Sequence, residues 1–131
     1  YMKLKHLDEW TEGRRRFAGK YDALLADTPD IVPMKPYGDV RHVYHLYVVR
    51  VQDRENLLPL LRERGVGVGV HYPISLHMQP AYARLGLGEG AFPNSETLAR
   101  EVISLPIYAE MDDAAPDYVV SVLKELVGAG A

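Results

Sequence analysis

The sequence predicts an α/β domain: a small antiparallel or mixed sheet of about three strands, helices covering one side of it, and a long helix leading in. Three observations carry that prediction. Apolar and long side chains recur at alternating spacings of three and four between Leu7 and Leu24. A β-branched and aromatic run, VRHVYHLYVVRV, fills residues 40–51. Shorter stripes of helical period then alternate with brief β-rich runs to the end of the chain. At 131 residues, 47% hydrophobic and 25% charged, the chain is sized for a single domain, 1–131, with its own core.

Residues 1–26 form the leading helix. Leu7, Trp10, Arg14, Phe17, Tyr21 and Leu24 mark its inward stripe, and Leu4 already lies on it, so the chain begins inside the periodic pattern. Roughly 22 residues at ~1.5 Å each reach over ~30 Å, which is long for so small a domain. Thr28, Pro29 and Asp30 stop it. Pro33, Pro36 and Gly38 then leave room for a short edge strand and a turn.

The run 40–51 is expected to be a strand, long at twelve residues. Asp53 is placed to cap a helix reaching Arg64, with Leu57, Leu58 and Leu61 inward and Gly65 as a left-handed stop. Pro59 fits the first turn of that helix only if Asn56 is the cap. Val66, Val68 and Val70 alternate with Gly67 and Gly69, which predicts a short strand with one bulky and one bare face, ended by Pro73. A short helix over residues 80–85, a glycine-rich loop and a helix over residues 94–103 follow. LPIY is the candidate third strand. The last helix starts near Asp112 or Asp113, keeps Pro116 in its first turns, packs Val119, Val122, Leu123 and Leu126, and ends at Gly128.

Charge and composition exclude several function classes. A net charge of -3 and a pI near 5.9 argue against a nucleic-acid surface, which needs excess positive charge against phosphates. Arg14, Arg15 and Arg16 stand in a mixed-charge stretch and read as a solvated helix face or a subunit contact. The absence of cysteine removes disulfides and thiolate nucleophiles and agrees with a cytoplasmic setting. No apolar run approaches a membrane span, so no membrane partner is expected.

GVGVGVHYPISLHMQP, residues 65–80, is the segment richest in chemistry. Its glycines have period two, and Pro73 keeps the residues after them extended, so neither a dinucleotide fingerprint nor a phosphate loop fits. A cleared strand face, leaving space for a neighbouring backbone or a bulky ring, fits better. His42 and His45 would point to opposite faces of a strand, and His71 and His77 lie across a proline-containing loop, so no metal site is expected. His71, Tyr72, Ser75, His77 and Gln79 crowd one irregular segment at a strand end, where ligand pockets form. No nucleophile is evident: there is no G-x-S-x-G elbow, and Lys3, Lys5, Lys20, Lys35 and Lys124 all read as surface residues. No catalytic residue is assigned.

HYPISLHMQPAY, together with FPNSETLAREVISLPIY and the closing DYVVSVLKEL, resembles the C-terminal small domain of the DegT/DnrJ/StrS group of pyridoxal-phosphate-dependent sugar-nucleotide aminotransferases of fold type I. The resemblance covers nearly the whole chain, with KLKHLDEW as the helix that joins the large domain to the small one. It implies amino transfer to a keto-sugar nucleotide in the full-length enzyme, with pyridoxal phosphate held mainly by a large domain that also carries the Schiff-base lysine. It further implies that this chain alone binds no cofactor and is inactive. The positions carried over as substrate-binding are His71 and Tyr72 of H-Y-P and His77 and Gln79 of L-H-x-Q-P. Expected partners are the nucleotide sugar and further copies in a homo-oligomer. A non-catalytic interaction or dimerisation module with this fold is the alternative.

Overall fold

A computed structural model describes residues 1–129. Lys3–His6 form a 3-10 turn that runs into helix α1, Leu7–Leu25. Strand β1 is Ile31–Pro33, β2 is Tyr47–Val51 and β3 is Val102–Leu105; the other helices are α2 (Arg54–Glu63), α3 (Pro93–Glu101) and α4 (Ala115–Gly128). The strands form one antiparallel sheet in the order β1-β2-β3, with Ile31 opposite Val51, Tyr47 opposite Leu105 and Val49 opposite Ile103. The predicted fold class, a long first helix and a small three-stranded sheet under helices, is the one found.

Strand alternation decides what each face carries. Ile31, Tyr47, Val49, Val51, Ile103 and Leu105 point toward α1, α2 and α4, where they join Phe17, Tyr21, Leu61, Val122 and Leu123 in one buried core. Tyr21 and Tyr47 stack there with ring centroids 4.8 Å apart. Their hydroxyls find acceptors, Tyr21 at the Pro106 carbonyl (2.8 Å) and Tyr47 at Asp22 (2.7 Å). Burial pushes both phenols up, and the Asp22 carboxylate pushes Tyr47 further. The opposite face presents Val48, Arg50, Val102 and Ser104, and α3 packs on part of it.

Several expected elements are shorter than the sequence suggests, each for want of a partner. Of residues 40–51 only Tyr47–Val51 pair, because β1 ends at Pro33 and β3 ends before Pro106, leaving nothing opposite the earlier residues. Tyr44 adopts φ 47°, which breaks the extension, and Arg41 to Glu12 and Arg15 to the His42 carbonyl hold the segment on α1 instead. The valine-glycine run contributes a single bridge, Gly69 to Ser104. The third strand comes earlier than LPIY: α3 ends at Glu101 and β3 begins at Val102 with no connecting residue, at the point where β-branched Val102 and Ile103 favour extension.

Helix α2 does start after Asp53, but Asp53 itself is left-handed at φ 52° and makes no side-chain cap; its carboxylate accepts from the Asn56 amide group. Pro59 therefore sits inside the helix and leaves the Glu55 carbonyl without its helical donor. Gly65 is left-handed at φ 75°, as a helix stop requires. The turn Pro80–Leu85 is 3-10, closed by left-handed Gly86. Arg15 donates to the His42 carbonyl at 2.9 Å, and Arg16 pairs with Asp113 at 2.6 Å, so the arginine run ties α1 to its neighbours.

Candidate functional site

The site grows from the second sheet face. Gly69 and Ser104 exchange both backbone hydrogen bonds, Gly69 N–H to the Ser104 carbonyl at 3.2 Å and Ser104 N–H to the Gly69 carbonyl at 2.8 Å. That pair sets the chain two residues before His71 against β3. A Cβ built on Gly69 would lie 2.8 Å from the His71 Cε1, closer than side-chain atoms approach. The glycine thus gives space to a ring, as the cleared-face reading expected at this position; Gly67 has open space around it. His71 folds back so that Nδ1 lies 2.9 Å from the Ser104 Oγ.

Past His71 the chain is irregular. The His71–Tyr72 peptide bond is cis, Tyr72 is exposed and meets the His71 ring edge-on, and Leu76–Met78 form a short 3-10 turn. A cleft of about 380 Å³ opens here, bordered by Met34, Val48, His71, Tyr72, Ser75 and Leu98 among others. Ser75 is buried, and its hydroxyl has no hydrogen-bond partner among the described residues.

His77 is placed differently from His71. It is only 8% exposed, with its ring edge-to-face against Phe92 at 4.9 Å and Nε2 3.0 Å from the Glu96 Oε1. A carboxylate only accepts, so Nε2 donates and carries a hydrogen. Glu96 also accepts from the backbone N–H of Gly90 (2.9 and 3.1 Å) and of Phe92 (3.1 Å). These backbone donors, Gly90 first, hold its carboxyl below the usual carboxylate range, and the His77 hydrogen bond adds to them. Reaching back to the residues ahead of its own helix, Glu96 acts like the second half of a capping box. Gln79 is half-buried and begins the Pro80–Leu85 turn.

The structure therefore brings His71 and Tyr72 to one cleft, whereas His77 is held on α3 by Glu96 and neither it nor Gln79 lines that cleft. Sequence reasoning missed the two residues that hold the histidines. Glu96 had a partial signal, an acid in the first turn after Pro93, but nothing local ties it to a histidine 19 positions earlier. Ser104 had none, since its role depends on strand pairing. His42 accepts from the Tyr44 N–H at 3.0 Å, away from this cleft. Among the described residues no three His, Asp or Glu side chains gather as a metal site, and no helix is long and apolar enough to cross a membrane.

Among the described residues no lysine lies in surroundings suited to a Schiff base. A lysine that condenses with an aldehyde needs surroundings that favour its neutral amine. Lys3, Lys5, Lys35 and Lys124 are exposed, and Lys20 is bound to Asp117 at 2.5 Å and to the Asp113 carbonyl.

The family described as DegT/DnrJ/EryC1/StrS aminotransferase matches residues 1–124. The Pleiotropic regulatory protein of Geobacillus stearothermophilus is 40% identical over 126 residues, 95% of this chain and 34% of that protein. The dTDP-3-amino-3,4,6-trideoxy-alpha-D-glucose transaminase of Streptomyces venezuelae is 36% identical over 124 residues, 95% of this chain and 33% of that one. The crystal structure of DesV from S. venezuelae in complex with a ketimine intermediate superposes with a TM-score of 0.90 at 35% identity, over 96% of this chain and 34% of that one. The chain spans about a third of the length of the relatives it matches.

Proposed function

Because this chain belongs to the DegT/DnrJ/EryC1/StrS aminotransferase family, we propose that it is the small-domain part of an enzyme that transfers an amino group to a nucleotide-linked keto sugar. In this reading pyridoxal phosphate and its lysine belong to polypeptide beyond these residues, and the coenzyme supplies the electron sink for amino transfer. The 131 residues alone bind substrate groups and do not transaminate.

The observation that carries the reading is the His71-Tyr72 corner, pinned to β3 on one side and open to the cleft on the other. His71 offers Nε2 to a sugar or diphosphate oxygen, and Tyr72 offers a ring and a hydroxyl. His77, with Nε2 committed to Glu96, contributes Nδ1 and the position of the turn that leads to Gln79. The unpartnered Ser75 hydroxyl in the same cleft is a further group that a ligand or a neighbouring polypeptide would satisfy.

Titration of the chain with a thymidine diphosphate sugar, followed by NMR, tests this. Shifts centred on His71, Tyr72 and Gln79 are expected. No change there favours the interaction module, which the exposed Tyr72, Ile74 and Leu76 side chains would equally serve. Turnover of a keto sugar by the chain alone would refute the division of labour.

A further inference from the structure

We infer that Ser104 is a positioning residue that sets the proton of the His71 ring: its hydroxyl donates to Nδ1, so the neutral imidazole carries its hydrogen on Nε2 and presents a donor to the cleft. The significance for substrate rests on the reading above; the ring's own protonation pattern does not.

Geometry and burial carry the inference together. Ser104 is 5% exposed, and its Oγ has one hydrogen-bond partner among the described residues, the His71 Nδ1 at 2.9 Å. A buried hydroxyl hydrogen needs an acceptor, and an unprotonated ring nitrogen is the one within reach. Were Nδ1 protonated instead, it would donate to the hydroxyl oxygen, and the hydroxyl hydrogen would be left without an acceptor among the described residues.

The backbone delivers the ring to Ser104. The paired backbone bonds between Gly69 and Ser104 fix the segment before it, and the missing Cβ of Gly69 leaves the space that Cε1 occupies. A histidine so held selects its ligand by polarity. It takes an acceptor oxygen, such as a diphosphate or carbonyl oxygen, and disfavours an amine or ammonium donor at the same place.

Long-range proton-nitrogen NMR of the ¹⁵N-labelled chain at alkaline pH, where histidine rings are neutral, reads this directly. His71→Gln identifies the His71 signals among the five histidines. The expected result is an unprotonated Nδ1 and a protonated Nε2 for His71. Ser104→Ala should give a mixture of tautomers, and Ser104→Thr, which keeps the hydroxyl, should restore the single form. A protonated Nδ1 in the unaltered chain, or a Ser104→Ala spectrum identical to it, overturns the inference. Should Ser104→Ala fail to fold, the unaltered chain and Ser104→Thr still decide the matter. Added dTDP-glucose should move the His71 Nε2 signal. The expected tautomer with no ligand response would uphold the role of Ser104 and count against the proposed substrate.

Discussion

Glu96 concentrates several obligations in one side chain. It accepts from Gly90, Phe92 and His77 at once, and those donors lower its pKa in the folded chain. A carboxyl with a depressed folded pKa contributes stability that is complete above the unfolded value of about 4.3 and is lost as pH falls through the folded value. Urea unfolding at a series of pH values should therefore show the unaltered chain losing stability below about pH 4.3 more steeply than Glu96→Gln. At neutral pH the variant should be the less stable of the two, and the curves should converge on acidification. Parallel curves would mean that Glu96 is not held as described.

Helices and strands raise a different kind of question, which is what each lost partner costs. Pro59 interrupts α2 in its interior, so Pro59→Ala should restore the hydrogen bond to the Glu55 carbonyl and raise stability by about 1 to 3 kcal/mol in chemical denaturation. Gly13 is the reverse case: a Cβ there would stand 2.8 Å from the Ala109 carbonyl oxygen, backbone that cannot swing aside. Gly13→Ala should push α1 away from residues 108–110 and lower stability by about 1 to 3 kcal/mol, as overpacking does.

The helices were legible because their stripes are local. Leu57, Leu58 and Leu61 or Val119, Val122 and Leu123 announce a buried face whatever they meet. The strands were less so. VRHVYHLYVVRV has β-type composition throughout, yet only residues opposite β1 and β3 could become a strand, and that depends on Pro33 and Pro106 elsewhere in the chain. The polar segment from His71 to Gln79 was visible as a cluster, whereas Ser104 and Glu96, its holders, are recognisable only once the fold brings them near.

Over the whole molecule, the two faces of the sheet differ in how they are finished. One is sealed by three helices, while around the cleft on the other Met34, Tyr72, Ile74 and Leu76 remain exposed. An apolar rim of that kind marks an interaction surface. The isolated chain is expected to self-associate at high concentration in sedimentation experiments, and the double variant Ile74→Asp/Leu76→Asp to remain monomeric with its helical signal unchanged. A sedimentation coefficient that is independent of concentration for the unaltered chain would count against that surface.

The direct junction of α3 and β3 has a mechanical corollary. Glu96 and Ser104 lie on either side of the Glu101-Val102 joint with no slack between them, so both clamps on the histidine segment are indexed by one stiff rod. One extra residue at that joint would rotate the helical half by about 100° relative to the strand, from 3.6 residues per turn. His71 and His77 could then no longer be gripped together, although every side chain that grips them would still be present.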